Sequence, residues 1–139
     1  MLCYLPPRDP MPQPFSTSLL DAHRAQRRAR NEADRQRLLT AALTWLQAYG
    51  RKFGYDRGYL FGSITQPGRF TEYSDLDVAV ETFKGEVSLG MSSYLMTDLD
   101  REVDLVPLDR CHFAAKIRQE GILWIASIGP DSKPNSTVN

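Results

Sequence analysis

Two aspartates separated by a single residue, Asp75 and Asp77, are the residues of this sequence whose types and spacing most clearly indicate a chemical role. They open the segment 75–80, where acidic residues alternate with apolar ones before an apolar run, a pattern that predicts a β-strand. Because residues two apart on a strand face the same side, both carboxylates would project together. A third carboxylate, Asp104, interrupts the apolar segment 103–108, which predicts another strand.

Three carboxylates brought together repel one another, and a fold tolerates this arrangement best when cations lie between them. Oxygen ligands suit Mg²⁺, and two Mg²⁺ ions held by shared carboxylates are the standard arrangement for in-line phosphoryl or nucleotidyl transfer. If the strand that carries Asp104 pairs beside the strand that carries Asp75 and Asp77, the three side chains predict a two-metal site.

A Gly-Ser pair, Gly62 and Ser63, follows a short apolar segment and supplies a second chemical feature. Glycine has no side chain to block a close approach of the backbone to a phosphate group. Serine offers a hydroxyl and a backbone N–H, and it could begin a helical turn, where anions are favoured. The pair therefore predicts a phosphate-binding turn. Alone, a Gly-Ser pair is more often an ordinary turn, and a lone Asp-x-Asp is often a solvated strand edge.

Together, the segments 61–63, 74–80 and 103–106 resemble the minimal nucleotidyltransferases (MNT) of the DNA polymerase β superfamily. That family's pattern is Gly-Ser, about ten residues, Asp-x-Asp, and a later Asp on a neighbouring strand. The resemblance covers about residues 38–126. It implies an α/β (α+β) fold of the polymerase β type, with a small mixed sheet flanked by helices, to which the sequence adds a long N-terminal helix.

The resemblance also implies roles for individual residues. Gly62 and Ser63 would bind the phosphates of the nucleotide. Asp75 and Asp77 would ligate two Mg²⁺ ions, while Asp104 would ligate the catalytic ion and assist deprotonation of the acceptor. ATP would be the substrate.

Two features depart from the family pattern. Eleven residues separate Ser63 from Asp75, one more than the common spacing, and the Arg-Gly that often follows Gly-Ser is replaced by the sequence of 64–69. Within that replacement, Arg69 is the residue that could reach the phosphates instead.

Free-standing chains of this length resemble the antitoxin members of HEPN/MNT toxin–antitoxin pairs. The resemblance implies an enzyme that transfers AMP from ATP to a tyrosine of a helical HEPN ribonuclease toxin and forms an assembly with it. Two alternatives remain open: a nucleotidyltransferase acting on a small aminoglycoside-like alcohol, and a non-catalytic antitoxin that masks its partner by binding.

Composition narrows the possible partners. Formal net charge is zero, with 17 Lys and Arg against 17 Asp and Glu, which does not favour direct binding to nucleic acid. The two cysteines, Cys3 and Cys111, are far apart, with neither a disulfide framework nor zinc spacing. We find no secretory signal and no apolar stretch long enough to span a membrane. We therefore expect a cytoplasmic protein without membrane contacts.

The domain organisation follows from proline, glycine and apolar periodicity. Five prolines predict an irregular lead-in over 1–15, and the polar composition after 127 predicts a flexible tail over 127–139. The domain would span 16–126 and begin with a helix over 16–49, which contains no Gly or Pro and has N-cap candidates in its first residues. The apolar face of this helix is confined to its second half.

The arginine run over 24–37 has two interpretations. We favour a solvated helix face whose acidic neighbours pair across the turns. The functional alternative is a docking surface for an acidic partner or for RNA. The remaining predicted elements are strands over 58–61 and 103–108, helices over 89–100 and 111–120, and a strand or helix end over 122–126.

A few other side chains have less specific patterns. Trp45, Tyr49 and Trp124 are predicted to pack in the core rather than to bind a ligand. Tyr73 could stack on a nucleotide base or simply lie on the surface. Glu81 and Glu102 lie near the acidic cluster in the sequence and could support it, but the sequence favours a role for neither.

Overall fold

The computed structural model describes residues 17–82 and 87–127. The predicted lead-in over 1–15 and all but the first residue of the predicted tail lie outside these residues. The described helices and strands are, in chain order, α1 (Ser18–Tyr49), β1 (Arg57–Phe61), β2 (Leu76–Val80), α2 (Leu89–Leu99), β3 (Val103–Pro107), α3 (Ala114–Glu120) and β4 (Ile122–Ile125). Short 3₁₀ turns at Gly50–Phe53, Gly62–Thr65 and Leu108–Arg110 connect some of them.

The four strands form one mixed sheet in the order β3-β2-β1-β4. β1 is antiparallel to both of its neighbours, whereas β2 and β3 are parallel and are joined through α2. A parallel pair needs such a crossover connection because its second strand must start from the same edge as the first. The predicted fold class, a small mixed sheet flanked by helices with a long N-terminal helix, is confirmed.

The sheet separates two groups of buried side chains. The larger group lies between one face of the sheet and the helices α1 and α2, and it includes Leu60, Val78, Leu95 and Trp124. The smaller group packs Ala79 against Leu108 and the α3 residues Ala114 and Ile117, with Tyr59 and Phe61 beside them. Alternation along the strands sends even-numbered residues of β1 and β2 to the first face and odd-numbered ones to the second.

The helix α1 is divided as its sequence predicts. Residues 18–30 are exposed along their whole length, whereas the second half buries Arg35, Leu38, Ala42, Trp45 and Leu46 against the domain. Trp45 also donates its indole N–H to Asp98 of α2 at 2.7 Å. The apolar periodicity, and not helix propensity, therefore decides which part of α1 contacts the domain.

The beginning of α1 differs from the prediction in detail. Thr17 is the N-cap residue, and it makes no side-chain bond to the helix backbone. Its hydroxyl instead donates to the Asp21 carboxylate at 3.2 Å. Ser18, another N-cap candidate, is already the first helical residue, so it does not form a capping box with Asp21.

Other boundaries shift for local reasons. Asp75 lies just before β2 rather than within it. The last predicted helix starts at Ala114 rather than Cys111, because a 3₁₀ turn occupies Leu108–Arg110. Tyr49 was predicted to be buried, but 41% of it is exposed at the end of α1. Among the described helices, none combines the length and apolar character needed to cross a membrane.

Candidate active site

Three register positions form one row across the edge of the sheet. Asp104 of β3 is the direct partner of Asp77 of β2, and Asp77 is in turn the partner of Phe61, the last residue of β1. Neighbouring strands lie about 4.8 Å apart, so the Asp77 and Asp104 backbones are close neighbours. Asp77 lies two residues before Ala79 and therefore faces the same side of the sheet as α3.

Gly62 directly follows this row, and its conformation depends on having no side chain. Its φ of +78° belongs to the left-handed region, which disfavours other residues. A Cβ atom added to Gly62 would overlap the Oδ2 atom of Asp77. The sequence predicted that Gly62 leaves space for a phosphate; in the structure that space first accommodates the Asp77 carboxylate, so the turn and the acidic cluster are in direct contact.

The Asp77 carboxyl is electrostatically coupled to the other two predicted carboxylates. Partial burial, followed by the charges of Asp104 and then Asp75, together raise the pKa of Asp77 from 3.8 to about 6. Burial disfavours the charged form, and like charges do the same. An ionised Asp77 is therefore costly at neutral pH unless a cation offsets it.

The outer carboxylates are more accessible than Asp77. Asp75 and Asp104 are exposed, and Ser63 is half-buried in the Gly62–Thr65 turn. The Thr65 hydroxyl donates to the Gly62 carbonyl at 2.8 Å, and the Gln66 N–H donates to the Ser63 carbonyl, so hydrogen bonds define the turn. The site thus presents two accessible carboxylates near the partly buried Asp77: Asp104 on the neighbouring strand and Asp75 just before β2.

The donor chemistry of the cluster fits Mg²⁺, which prefers carboxylate oxygens. A bound cation would offset the burial and the neighbouring charges that raise the pKa of Asp77. However, within 17–82 and 87–127 no three His, Cys, Asp or Glu residues are arranged as a ready-made metal site. Asp75, Asp77 and Asp104 are the residues that would hold the ion. Because their side chains are not already arranged around a common point, the exposed Asp75 and Asp104 would have to reorient to bind it.

The other predicted site residues lie in different surroundings. Arg69 is exposed beyond the turn closed by its own N–H and the Gln66 carbonyl, so its assignment to the phosphates stays a prediction. Glu81 lies at the far end of β2 and accepts two hydrogen bonds from Arg118 at 2.9 Å, which lowers its pKa. Glu81 therefore belongs to a separate ion pair. Tyr73 is 86% exposed.

Arg35 supports the Gly-Ser turn, a role that the sequence did not reveal. This buried side chain donates to the Ile64 carbonyl at 2.9 Å and makes a two-point contact with Glu32 at 2.9 and 2.7 Å. The interpretation of the arginine run as a solvated helix face is therefore wrong for Arg35. The predicted pairing across helical turns is confirmed there, and also between Arg24 and Asp21. The only signal was the position of Arg35 at the start of the packed half of α1.

Arg101 supports the other side of the site. Its Nη1 atom donates to the carbonyl of Ser74 at 2.8 Å, with further contacts to the Glu72 and Thr71 carbonyls at 3.2 and 3.4 Å. Its guanidinium also lies 4.8 Å from the centre of the Phe70 ring. Arg101 thus fixes the loop that immediately precedes Asp75. Nothing in the sequence separates it from other surface arginines.

Fold and site together define a small mixed α/β domain with an acidic cluster against a Gly-Ser turn at one sheet edge. No protein-family model matches the chain, and no curated protein does.

Two solved structures show a limited likeness to it. A crystal structure of a mutant toxin–antitoxin complex, MntA–HpeT, has 22% identity and a TM-score of 0.47, and the match covers 68% of this chain and 76% of that one. A crystal structure of the toxin–antitoxin complex MntA–HepT has 20% identity and a TM-score of 0.44, covering 70% of this chain and 77% of that one. Values this low assign neither a family nor an activity to this chain.

Proposed function

We propose that this chain is a Mg²⁺-dependent nucleotidyltransferase that transfers AMP from ATP to a tyrosine hydroxyl of a HEPN-type ribonuclease toxin and so silences it. The observation that carries the proposal is the row formed by Asp104 and Asp77, with Gly62 packed against the Asp77 carboxylate. Accessible carboxylates next to a glycine turn are what a nucleotide and its metal ions need on one surface.

Different residues of the site would carry out different parts of nucleotidyl transfer. The acceptor oxygen forms a bond to the α-phosphorus while the bond from that phosphorus to the leaving pyrophosphate breaks. Asp104, exposed at the outer end of the row, takes the acceptor proton and passes it to solvent. Gly62 and Ser63 bind the phosphates through the backbone and the serine hydroxyl. Mg²⁺, when bound, would neutralise the carboxylates and phosphates and acidify the acceptor.

The protein acceptor is supported by the sequence resemblance to MNT antitoxins and by one structural feature. Residues 18–30 of α1 extend from the domain with their four arginines exposed, and 69% of Leu19 is exposed as well. An exposed helix that carries both apolar and cationic side chains is typical of a surface that contacts another protein. A location in the cytoplasm, where a ribonuclease toxin acts on RNA, belongs to the same proposal.

The test is an intact-mass measurement on the protein encoded by the adjacent gene, after incubation with this chain, Mg²⁺ and ATP. We expect an increase by whole AMP units, lost in Asp75→Asn and Asp77→Asn although the complex still forms. Asp109→Asn is the matched control, since Asp109 is an exposed carboxylate beyond the opposite end of β3.

The other outcomes separate the alternatives. A stable complex without any mass increase would contradict the enzymatic proposal and favour inhibition by masking. Transfer of AMP to a small hydroxyl compound, with neither complex nor modification of the protein, would favour a small-molecule nucleotidyltransferase.

A further inference from the structure

A cavity of about 220 Å³ lies next to the acidic cluster, between the Gly62–Thr65 turn and the helix α3. Phe61 and Gly62 line its sheet side, and Phe113, Lys116 and Glu120 line its helix side. None of the three predicted carboxylate ligands lines it. The cavity is therefore a separate space that begins where the acidic row ends.

The cavity and the acidic row lie on the same face of the sheet. Phe61 is the register partner of Asp77 and packs beside Ala79 and the α3 residue Ile117. A molecule laid across this face would pass from Asp104 over Asp77 to Phe61, and from there into the cavity. Three adjacent strands at about 4.8 Å spacing set the length of this path at about 10 Å up to Phe61.

Lys116 is the one cationic residue among those that line the cavity. It is exposed, and it forms no ion pair or hydrogen bond with any residue in 17–82 or 87–127. Arg118, two residues further along α3, is instead held by both oxygens of Glu81. Within this helix, Lys116 is thus the cation available to an anion in the cavity.

We propose that this cavity binds the β- and γ-phosphates of the nucleotide and that Lys116 contacts them. This inference rests on the proposed function. In an in-line displacement, the acceptor and the leaving group lie on opposite sides of the α-phosphorus. If the acceptor lies near Asp104, at the β3 end of the row, the leaving pyrophosphate lies toward β1, where the cavity opens beside Gly62.

Two other lining residues refine the expected ligand. Phe113, of which 45% is exposed, forms an apolar wall of the cavity. This wall would limit the space for a phosphate chain without binding it. Glu120 lies one helical turn after Lys116 and lines the same cavity, so its carboxylate opposes an anion there. Glu120→Gln should therefore strengthen nucleotide binding.

Calorimetric titration of the full chain with Mg·ATP, tripolyphosphate and AMP tests the inference. Lys116→Gln should weaken the binding of Mg·ATP and of tripolyphosphate about tenfold, the loss expected for one charge-assisted contact. AMP, which has no β- or γ-phosphate, should bind both forms equally. Arg118→Gln is the matched control, because it removes one positive charge from the same helix but from a side chain paired with Glu81.

The outcomes distinguish a failure of the Lys116 inference from a failure of the proposed nucleotidyltransferase function. A wild-type chain that binds no Mg·ATP would overturn both. ATP binding that Lys116→Gln leaves unchanged, or that Arg118→Gln weakens to the same extent, would overturn the role of Lys116 only. Weaker ATP binding in Glu120→Gln would also contradict an anion site in the cavity. All three side chains are exposed, so the variants should fold normally.

Discussion

Replacing Asp77 with asparagine should make the metal-free protein more stable at neutral pH while removing its proposed activity. The carboxylate is half-buried, and its surroundings raise its pKa from 3.8 to about 6. At neutral pH the folded protein therefore contains an ionised group that its environment disfavours. Asparagine has nearly the same shape but no charge, so the variant keeps the packing over Gly62 and removes the repulsion.

The size of the effect follows from the change in pKa. A rise from 3.8 to about 6 corresponds to about 3 kcal/mol of lost stability once the group is ionised. Asp77 is only half-buried, and solvent screens its charge, so we expect about 1–2 kcal/mol. Below pH 3.8 the carboxyl is protonated in both states and costs nothing. The cost develops as the pH rises from about 4 to about 6, and it is complete above that range.

Urea denaturation in the presence of a chelator measures this effect. Asp77→Asn should exceed wild type in free energy of unfolding at pH 7.5, and the difference should shrink toward zero near pH 4. Asp109→Asn, which removes an exposed carboxylate elsewhere, should match wild type at both pH values. Added Mg²⁺ should then stabilise wild type but not Asp77→Asn, because a ligand that binds only the folded state shifts the equilibrium toward it.

Two results would refute this reasoning. Asp77→Asn could prove no more stable than wild type at pH 7.5, which would mean that the acidic cluster costs nothing in the folded state. Alternatively, an equal gain at pH 4 and pH 7.5 would show that the stabilisation does not come from removing a charge.

Three further substitutions test the residues that hold the site. Gly62→Ala should abolish transfer and lower the free energy of unfolding by at least about 1–2 kcal/mol. The reason is that alanine is strained at a φ of +78° and its methyl group overlaps the Asp77 carboxylate. An activity assay measures the first effect and urea unfolding the second. Arg35→Lys should cost about 1–3 kcal/mol in urea unfolding, since lysine cannot contact Glu32 and the Ile64 carbonyl together. Arg101→Ala should lower kcat about 10- to 100-fold with little change in KM for ATP, because the loop before the Asp-x-Asp pair loses its anchor; steady-state kinetics separates the two constants.

Each of these variants has a matched control. Gly68→Ala places a methyl group at a similar positive φ with no atom within 4 Å, so it should share the strain but retain activity. Arg37→Lys changes an exposed arginine of α1 that pairs with Asp34, and it should be nearly neutral. Arg110→Ala should leave kcat unchanged, since Arg110 is exposed beyond β3. An inactive Gly68→Ala or a slow Arg110→Ala would show that the effects are not specific to the site.

Much of the site could be predicted from residue types and local spacing. The alternation in 75–80 correctly placed Asp77 on a strand with its apolar neighbours Leu76 and Val78 in the core. The absence of Gly and Pro predicted the long helix α1, and its apolar spacing predicted which half packs. These predictions succeed because strand alternation, helix periodicity and turn preferences act over a few residues.

Hydrogen bonds between residues far apart in the sequence could not be predicted in the same way. Arg35 looked like one more member of an arginine run, yet it bonds to the Ile64 carbonyl, 29 residues away. Arg101 contacts the Ser74 carbonyl, 27 residues away. Both arginines bind backbone carbonyls, and every residue has one, so the sequence contains no signal for the partner.

The sequence by itself determined the chemical groups of this protein: the carboxylates Asp75, Asp77 and Asp104, the Gly62-Ser63 turn, and the elements that carry them. Only the tertiary structure decided that Asp104 stands beside Asp77 in register, and that Lys116 faces a cavity next to Gly62. The register of β2 and β3 is fixed because their apolar residues must pack together against α1 and α2. A slip of one residue would turn Asp104 to the opposite face and separate the carboxylates, so the candidate active site depends on the same packing that stabilises the fold.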